Sequence, residues 1–350
     1  MRLKLAAVAA LVSVSAGMAA DGLTKGTPEL KSVSALAFGP DGVLFIGDPT
    51  AGAIVAVGTG DTKPAGKDDV NVEKLDAKLT SLLGGAAAVN DVKVNPASGT
   101  IYLAVTRTGR GGGPIILTCG RDGKLAEFKL TDVPTATVKL PNATDGKNRQ
   151  EAITSMAFVD GKVIVAGLSN EEFASTLRTI PFPFKDADKG TSVEIYHAAH
   201  NATETKSPIR TFTPYKIGAA DYLLAAYTCT PLVKLSVADL KPGVKVKGTT
   251  IAELGNMNRP LDMIVYTKDK KDYVLMANSK HGVMKIAADQ FAGAEGITKA
   301  VGGGGTAGVK FEKVKDLAGV LQLDKLDDNR AILLIQADDK SLTLKSVMLP

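Results

Sequence analysis

Ser34-Ala-Leu-Ala-Phe-Gly-Pro-Asp-Gly-Val-Leu-Phe-Ile-Gly-Asp48 decides the fold. It reads as a short apolar strand, a Pro-Asp-Gly turn, and a second apolar strand ending on a polar residue. Asp-Gly tolerates the positive φ that a tight hairpin requires. Ala51-Gly-Ala-Ile-Val-Ala-Val57 follows as a third strand. The same layout recurs at Asn90–Val105, Thr154–Gly167, Ile209–Leu235, Pro260–Ile286 and Gly319–Leu349. First-strand centres fall at Leu36, Val92, Met156, Phe212, Met263 and Leu321, 51 to 64 residues apart. The fourth and fifth copies align without a gap: Tyr215 with Tyr266, Tyr222 with Tyr273, Leu224 with Leu275, Ala226 with Ala277 and Lys234 with Lys285.

Each copy has room for three or four strands and carries almost no helical periodicity. A sheet that small cannot bury both faces alone, and stacking copies around an axis solves this while leaving few open edges. The expected architecture is all-β: a six-bladed β-propeller. Seven blades would follow if Glu73–Leu83 or Val301–Lys315 held a degenerate copy. The last copy supplies three strands before the chain stops, so a fourth from around Leu23–Leu30 is expected to complete it and close the ring.

The first residues read as an export signal. Met1-Arg-Leu-Lys4 is basic, Leu5–Ser15 is apolar and uncharged, and Ala16-Gly-Met-Ala-Ala20 supplies the small residues of a cleavage site after Ala19 or Ala20. Residues 1–19 are thus expected to be a cleaved signal peptide and 20–350 a single propeller domain, periplasmic or extracellular and monomeric. No later stretch reads as a membrane span. Losing Arg2 and Lys4 lowers the formal charge from +5 to +3, evenly spread, which gives no footprint for nucleic acid. Cys119 and Cys229 fall in non-neighbouring copies, which argues against a disulfide, and no CxxC, GxSxG, HExxH or Walker loop is present.

Phe38-Gly-Pro-Asp-Gly-Val-Leu-Phe-Ile-Gly-Asp48 followed by Gly52-Ala-Ile54 resembles six-bladed propellers of the NHL, regucalcin/gluconolactonase and strictosidine-synthase type. Enzymes of that group hold a divalent cation at the channel mouth with Glu, Asn and Asp from several blades; this chain does not carry the full set. Quinoprotein propellers are rich in Trp docking motifs, and the absence of Trp weighs against that class.

Loops carry function on rigid scaffolds, and a channel mouth is a ready concavity. Strand ends facing the mouth give Asp48, Asn90, Glu151, Asn170 and Asp262 as oxygen ligands for a hard cation, Ca²⁺ in an enzymatic reading. They give Arg107, Arg210 and Arg259, with Asp262, as ligand-binding residues, since guanidinium groups fork onto carboxylates and phosphates. His281 is the candidate general base. The leading functional expectation is a binding scaffold for a small anionic molecule or a partner protein; the alternative is a metal-dependent hydrolase or lactonase. His197 and His200 follow a strand pattern that would point them to opposite faces, so no metal site is expected there.

Overall fold

The computed structural model describes residues 22–109, 111–229 and 231–350, so the expected signal peptide lies outside the described residues. The strands pair almost wholly antiparallel, in units of four or more. The deciding hairpin forms as the sequence implies: Leu36–Phe38 pairs with Val43–Asp48 across Pro40–Gly42, where Asp41 has φ 52° and Gly42 φ 72°. A Cβ on Gly42 would also lie 2.9 Å from Thr59 Oγ1, so that position is closed to side chains twice over.

The first unit continues with Ala53–Gly58, then takes Val133–Lys139 and Thr24–Gly26 on its outer side. The second comprises Ala87–Val94, Ile101–Arg107, Gly113–Cys119 and Leu125–Glu127. The third comprises Ser155–Val159, Lys162–Leu168, Ser175–Pro181 and Thr191–His197. The fourth comprises Ile209–Ile217, Ala220–Tyr227, Pro231–Ser236 and Lys245–Leu254. The fifth comprises Pro260–Lys268, Lys271–Asn278, Gly282–Ala287 and Glu312–Val314. The sixth comprises Val320–Lys325, Arg330–Gln336, Leu342–Met348 and Asn71–Val72. The third and fourth units also join edge to edge through a parallel pairing of Ser192–Ile195 with Lys245–Gly248.

The alignment of the fourth and fifth copies holds in three dimensions. Tyr215 faces Tyr222 across one hairpin and Tyr266 faces Tyr273 across the other, and each first strand is irregular at the same place, between Ile209 and Thr211 and between Pro260 and Asp262. The second and sixth units repeat this bulge between Val89 and Asp91 and between Val320 and Gln322.

Alternation along each strand sends successive side chains to opposite faces, and both faces are buried against neighbouring units. On Val43–Asp48, Leu44 and Ile46 enter a core shared with Tyr102, Ala104 and Ile116 of the second unit. Val43 and Phe45, one residue out of phase, enter a core shared with Met156, Val163 and Val165 of the third. Further cores join the third unit to the fourth, the fourth to the fifth, the fifth to the sixth, and the sixth to the second. Full burial of each such Leu, Ile, Val or Phe side chain stabilises by roughly 1.5–3 kcal/mol. Sheets packed face to face, with their first strands around a common cavity, form a β-propeller arrangement.

Three expectations are corrected. The strand near Leu23 does not complete the last unit. Thr24–Gly26 pairs instead with the start of Val133–Lys139 in the first unit, as Thr24↔Thr135 and Gly26↔Val133, and Asn71–Val72 supplies the outer edge of the sixth. The first and last copies are not neighbours, because the second packs between them. Neither candidate for a seventh copy is one. Leu75–Leu83 is a helix whose Leu75 and Leu79 fill the core between the second and sixth units, while Thr306–Gly308 and Glu312–Val314 are edge strands of the fourth and fifth. Among the described residues, no helix is long and apolar enough to cross a membrane.

Candidate functional site

The first strands of all six units line one central cavity of about 720 Å³. Each is the inner edge of its sheet, so part of its backbone has no strand partner toward the axis and needs another one. Side chains from the neighbouring unit supply it. Asp91 Oδ2 of the second unit accepts from Leu36 N of the first at 2.7 Å. Asp262 Oδ2 of the fifth accepts from Leu323 N of the sixth at 3.2 Å, and Asp324 Oδ2 of the sixth accepts from Val94 N of the second at 2.7 Å. Asp91 and Asp262 each follow the first-strand bulge, the device that turns these carboxylates inward.

Lys93 sits among them. Its Nζ lies 3.2 Å from Asp91 Oδ1 and 3.1 Å from Asp262 Oδ2. With its carboxamide turned so that the nitrogen faces the two carboxylates, the orientation their acceptor oxygens demand, Gln322 donates to Asp262 Oδ2 at 3.0 Å and Asp91 Oδ1 at 3.1 Å. Burial pushes the carboxyls of Asp91 and Asp324 up to about 6, against the pull of Lys93. Burial acts against the charge on Lys93 too, but Asp262, Asp91 and Asp324 outweigh it and hold the ammonium well above its usual range.

The raised carboxyls have a consequence in solution. A carboxyl whose folded-state pKa is raised binds more protons folded than unfolded between about pH 4 and 6, so folding stability rises as pH falls through that window. Thermal unfolding is expected to show a higher Tm at pH 5 than at pH 7. The gain corresponds to ~1–2 kcal/mol, since a tenfold difference in proton affinity between folded and unfolded states is worth about 1.4 kcal/mol. Asp324→Asn is expected to flatten that slope; an unchanged slope would remove Asp324 from the account.

A second polar group lines the same cavity. Arg210 Nη1 bonds Glu151 Oε1 at 2.8 Å, and its Nε donates to Thr228 Oγ1 at 2.8 Å. Arg259 shares this region. Burial lowers its pKa, the positive charge of Arg210 lowers it further, and Glu151 opposes both. Two guanidinium groups therefore face one carboxylate, and among the described residues no side-chain hydrogen bond ties the Arg259 guanidinium down.

The sequence-predicted residues separate accordingly. Asn90, Glu151, Arg210, Arg259 and Asp262 line the cavity; Asp48, Arg107, Asn170 and His281 do not. Asp48 is fully buried, and its carboxylate accepts from Lys31 N, Ser32 N, Ser32 Oγ and Ala51 N at 2.6 to 3.0 Å, which ties down the segment around Lys31 and Ser32. Asn90 spends its amide on Val33 O and Thr106 Oγ1. Asn170 is exposed and donates to Ala143 O. Arg107 has a buried Nε without a hydrogen-bond partner among the described residues, and His281 Nε2 lies 3.2 Å from Asn256 O. The five expected oxygen ligands thus do not converge, and Asp262 is held by Lys93, Gln322 and backbone N–H groups. Both cysteines are free thiols; burial pushes the Cys119 thiol up to about 12, the state of an unreactive filler.

Lys93, Gln322 and Asp324 are among the cavity residues that strand-end reasoning passed over. A signal was available: each is a polar or charged residue inside an apolar first strand, in Val92-Lys-Val94 and Leu321-Gln-Leu-Asp324.

No family model matches the chain, and no curated protein matches it. Among solved structures it is similar to the PQQ-bound form of an aldose sugar dehydrogenase from Streptomyces coelicolor, with a TM-score of 0.34 and 10% identity over 93% of this chain and 96% of that one. It is also similar to a Thermus thermophilus protein described as a putative oxidoreductase (glucose dehydrogenase), with a TM-score of 0.31 and 13% identity over 93% of this chain and 99% of that one. Strand pairing and the cores between sheets carry the β-propeller assignment.

Proposed function

We propose that the chain is an exported, monomeric, six-bladed β-propeller, formed by residues 20–350 after loss of residues 1–19, that binds a small polar anion in its central cavity. Six antiparallel units, each packed face to face against two others, support the blade count. The observation that carries the functional reading is the charge imbalance around Arg259. Its guanidinium shares the cavity with that of Arg210, and Glu151 is the carboxylate that opposes them locally. A carboxylate or phosphate accepting a forked pair of N–H bonds would relieve that repulsion. The carboxylates further along the channel are engaged by Lys93 and by backbone donors, so they act as the seam of the ring rather than as open ligands.

Calorimetric titration with inorganic phosphate, citrate and gluconate tests this. At least one is expected to bind the wild type, and Arg259→Ala is expected to weaken that binding about 10- to 100-fold, the range for loss of a charge-assisted hydrogen bond. Glu151→Gln is expected to tighten it, because the competing carboxylate is gone. An Arg259→Ala protein that binds as the wild type does would end the proposal.

A further inference from the structure

Far from the cavity, at the outer seam between the third and fourth units, lies a second cluster. Strand Thr191–His197 ends in a turn and returns as Ala202–Glu204, with His197 paired to Ala202 and Ile195 to Glu204. The turn undoes the strand alternation expected of the two histidines. It brings their rings to 3.8 Å between centroids and puts His197 Nδ1 and His200 Nδ1 at 2.8 and 2.7 Å from the same atom, Glu204 Oε1. Ser207 Oγ donates to the other oxygen of that carboxylate. All three ligand-type atoms lie within 4.8 Å of one another.

A second, independent observation comes from the opposite strand. Glu253, on Lys245–Leu254, and His197 are each only 1% exposed. Glu253 Oε1 accepts from Ala198 N at 2.7 Å. Its Oε2 and His197 Nε2 face each other at 4.0 Å, and neither has a hydrogen-bond partner among the described residues. Leaving two buried polar atoms unsatisfied is costly. The arrangement has a simple chemical reason. An ionised Glu204 only accepts, so each Nδ1 bonded to it carries the hydrogen, and in a neutral His197 ring Nε2 is then bare and faces another acceptor. A metal ion on Nδ1 reverses this. The ring hydrogen moves to Nε2 and points at Glu253 Oε2, giving the carboxylate–histidine–metal relay that orients ligating imidazoles.

We infer that His197 Nδ1, His200 Nδ1 and Glu204 Oε1 form a divalent transition-metal site of the zinc class, with Glu253 and Ser207 holding the ligands from behind. Two imidazoles and one carboxylate suit zinc. Donor atoms around a tetrahedral zinc stand about 3.3 Å apart, given metal–ligand distances near 2.0–2.1 Å, so small ring rotations from the present spacing are enough. His200 is 52% exposed, which leaves the fourth position open to water. Because Ser192–Ile195 pairs with Lys245–Gly248 just before His197 and Glu253, the ion would clasp the hairpin at the junction of the two units.

The test is titration of chelator-treated full-length protein with ZnCl₂ alone, read by calorimetry and by NMR of the imidazole groups. The chain has three histidines, so His281 serves as an internal control without any substitution. One Zn²⁺ per chain is expected, with the signals of His197 and His200 shifting and that of His281 unmoved. His200→Ala and Glu204→Gln are expected to weaken binding roughly 30-fold or more, whereas Glu253→Gln weakens it about 10- to 100-fold with the stoichiometry kept at one, as for other outer-shell partners. No saturable binding to the wild type, a shift confined to His281, or wild-type affinity in a folded His200→Ala protein would each overturn the inference.

Discussion

Lys93→Met is expected to destabilise the protein by about 3–5 kcal/mol at neutral pH, the cost of stranding buried charge by removing its partner. Lys93 Nζ is the cation for Asp91, Asp262 and Asp324, and each of those carboxylates also fastens a backbone N–H of the next unit. Without the ammonium they must repel one another across the axis or take up protons. Because Asp91 and Asp324 are already pushed up to about 6, protonation is the easier escape, and the penalty is expected to shrink at pH 5. Asp262→Asn in the Lys93→Met background is expected to recover part of the loss, since it removes one of the stranded charges. Urea unfolding of the wild type, the two single variants and the double variant gives the coupling energy directly. A Lys93→Met protein within about 1 kcal/mol of the wild type at pH 7.5 would mean that the cluster is solvated and not a seam.

The second large effect is expected at Phe45. The chain is only 5% aromatic, yet four of its ten phenylalanines meet at the seam between the first and third units. Phe45 is fully buried; its ring lies 5.7 Å from Phe158, 5.0 Å from Phe182 and 5.9 Å from Phe184. Phe45→Ala removes the common partner of three rings, and a cost of about 3–5 kcal/mol is expected from lost burial plus the cavity left behind. Phe45→Leu keeps most of the volume and is expected to cost less than half as much. Equal losses in the two variants would point to backbone disruption rather than to ring packing, and a cost below about 1 kcal/mol for the alanine variant would show that the site collapses freely.

Much of this architecture is legible in one sequence because its repeat is written in local chemistry. Pro40-Asp-Gly42 demands the turn it makes, and the two Tyr pairs hold register between copies. What is not legible is which copy packs on which. Neighbouring strands within a unit are joined by turns of known chemistry, whereas packing between units depends on side chains meeting across long sequence separations. So Thr24–Gly26 and Asn71–Val72, both short and weakly patterned, exchange the roles that chain order suggests. The cavity was partly readable: strand starts point to Arg210, Arg259 and Glu151, but Lys93 and Asp324 lie further along their first strands, where a charge reads as a solvated face. The histidine cluster was hidden by a turn, since alternation holds only while the strand lasts, and the strand ends at His197.

The edge strand Asn71–Val72 waits for a partner at the other end of the chain. Val70 N bonds Ser346 Oγ and Val70 O accepts from Ser346 N, a separation of 276 residues. During synthesis the first two units emerge early, yet the face that the second turns toward the sixth, filled in part by Leu75 and Leu79, waits for Ile332, Leu334 and Leu344 far along the chain. Non-local pairing of this kind slows folding and lengthens exposure of apolar surface. Joining the present termini and opening the chain anew between residues 58 and 71 would place Asn71–Val72 at the new beginning and leave that pairing as remote as before. Opening it after Val72 would instead make Asn71–Val72 the new last strand, a few tens of residues beyond Ser346.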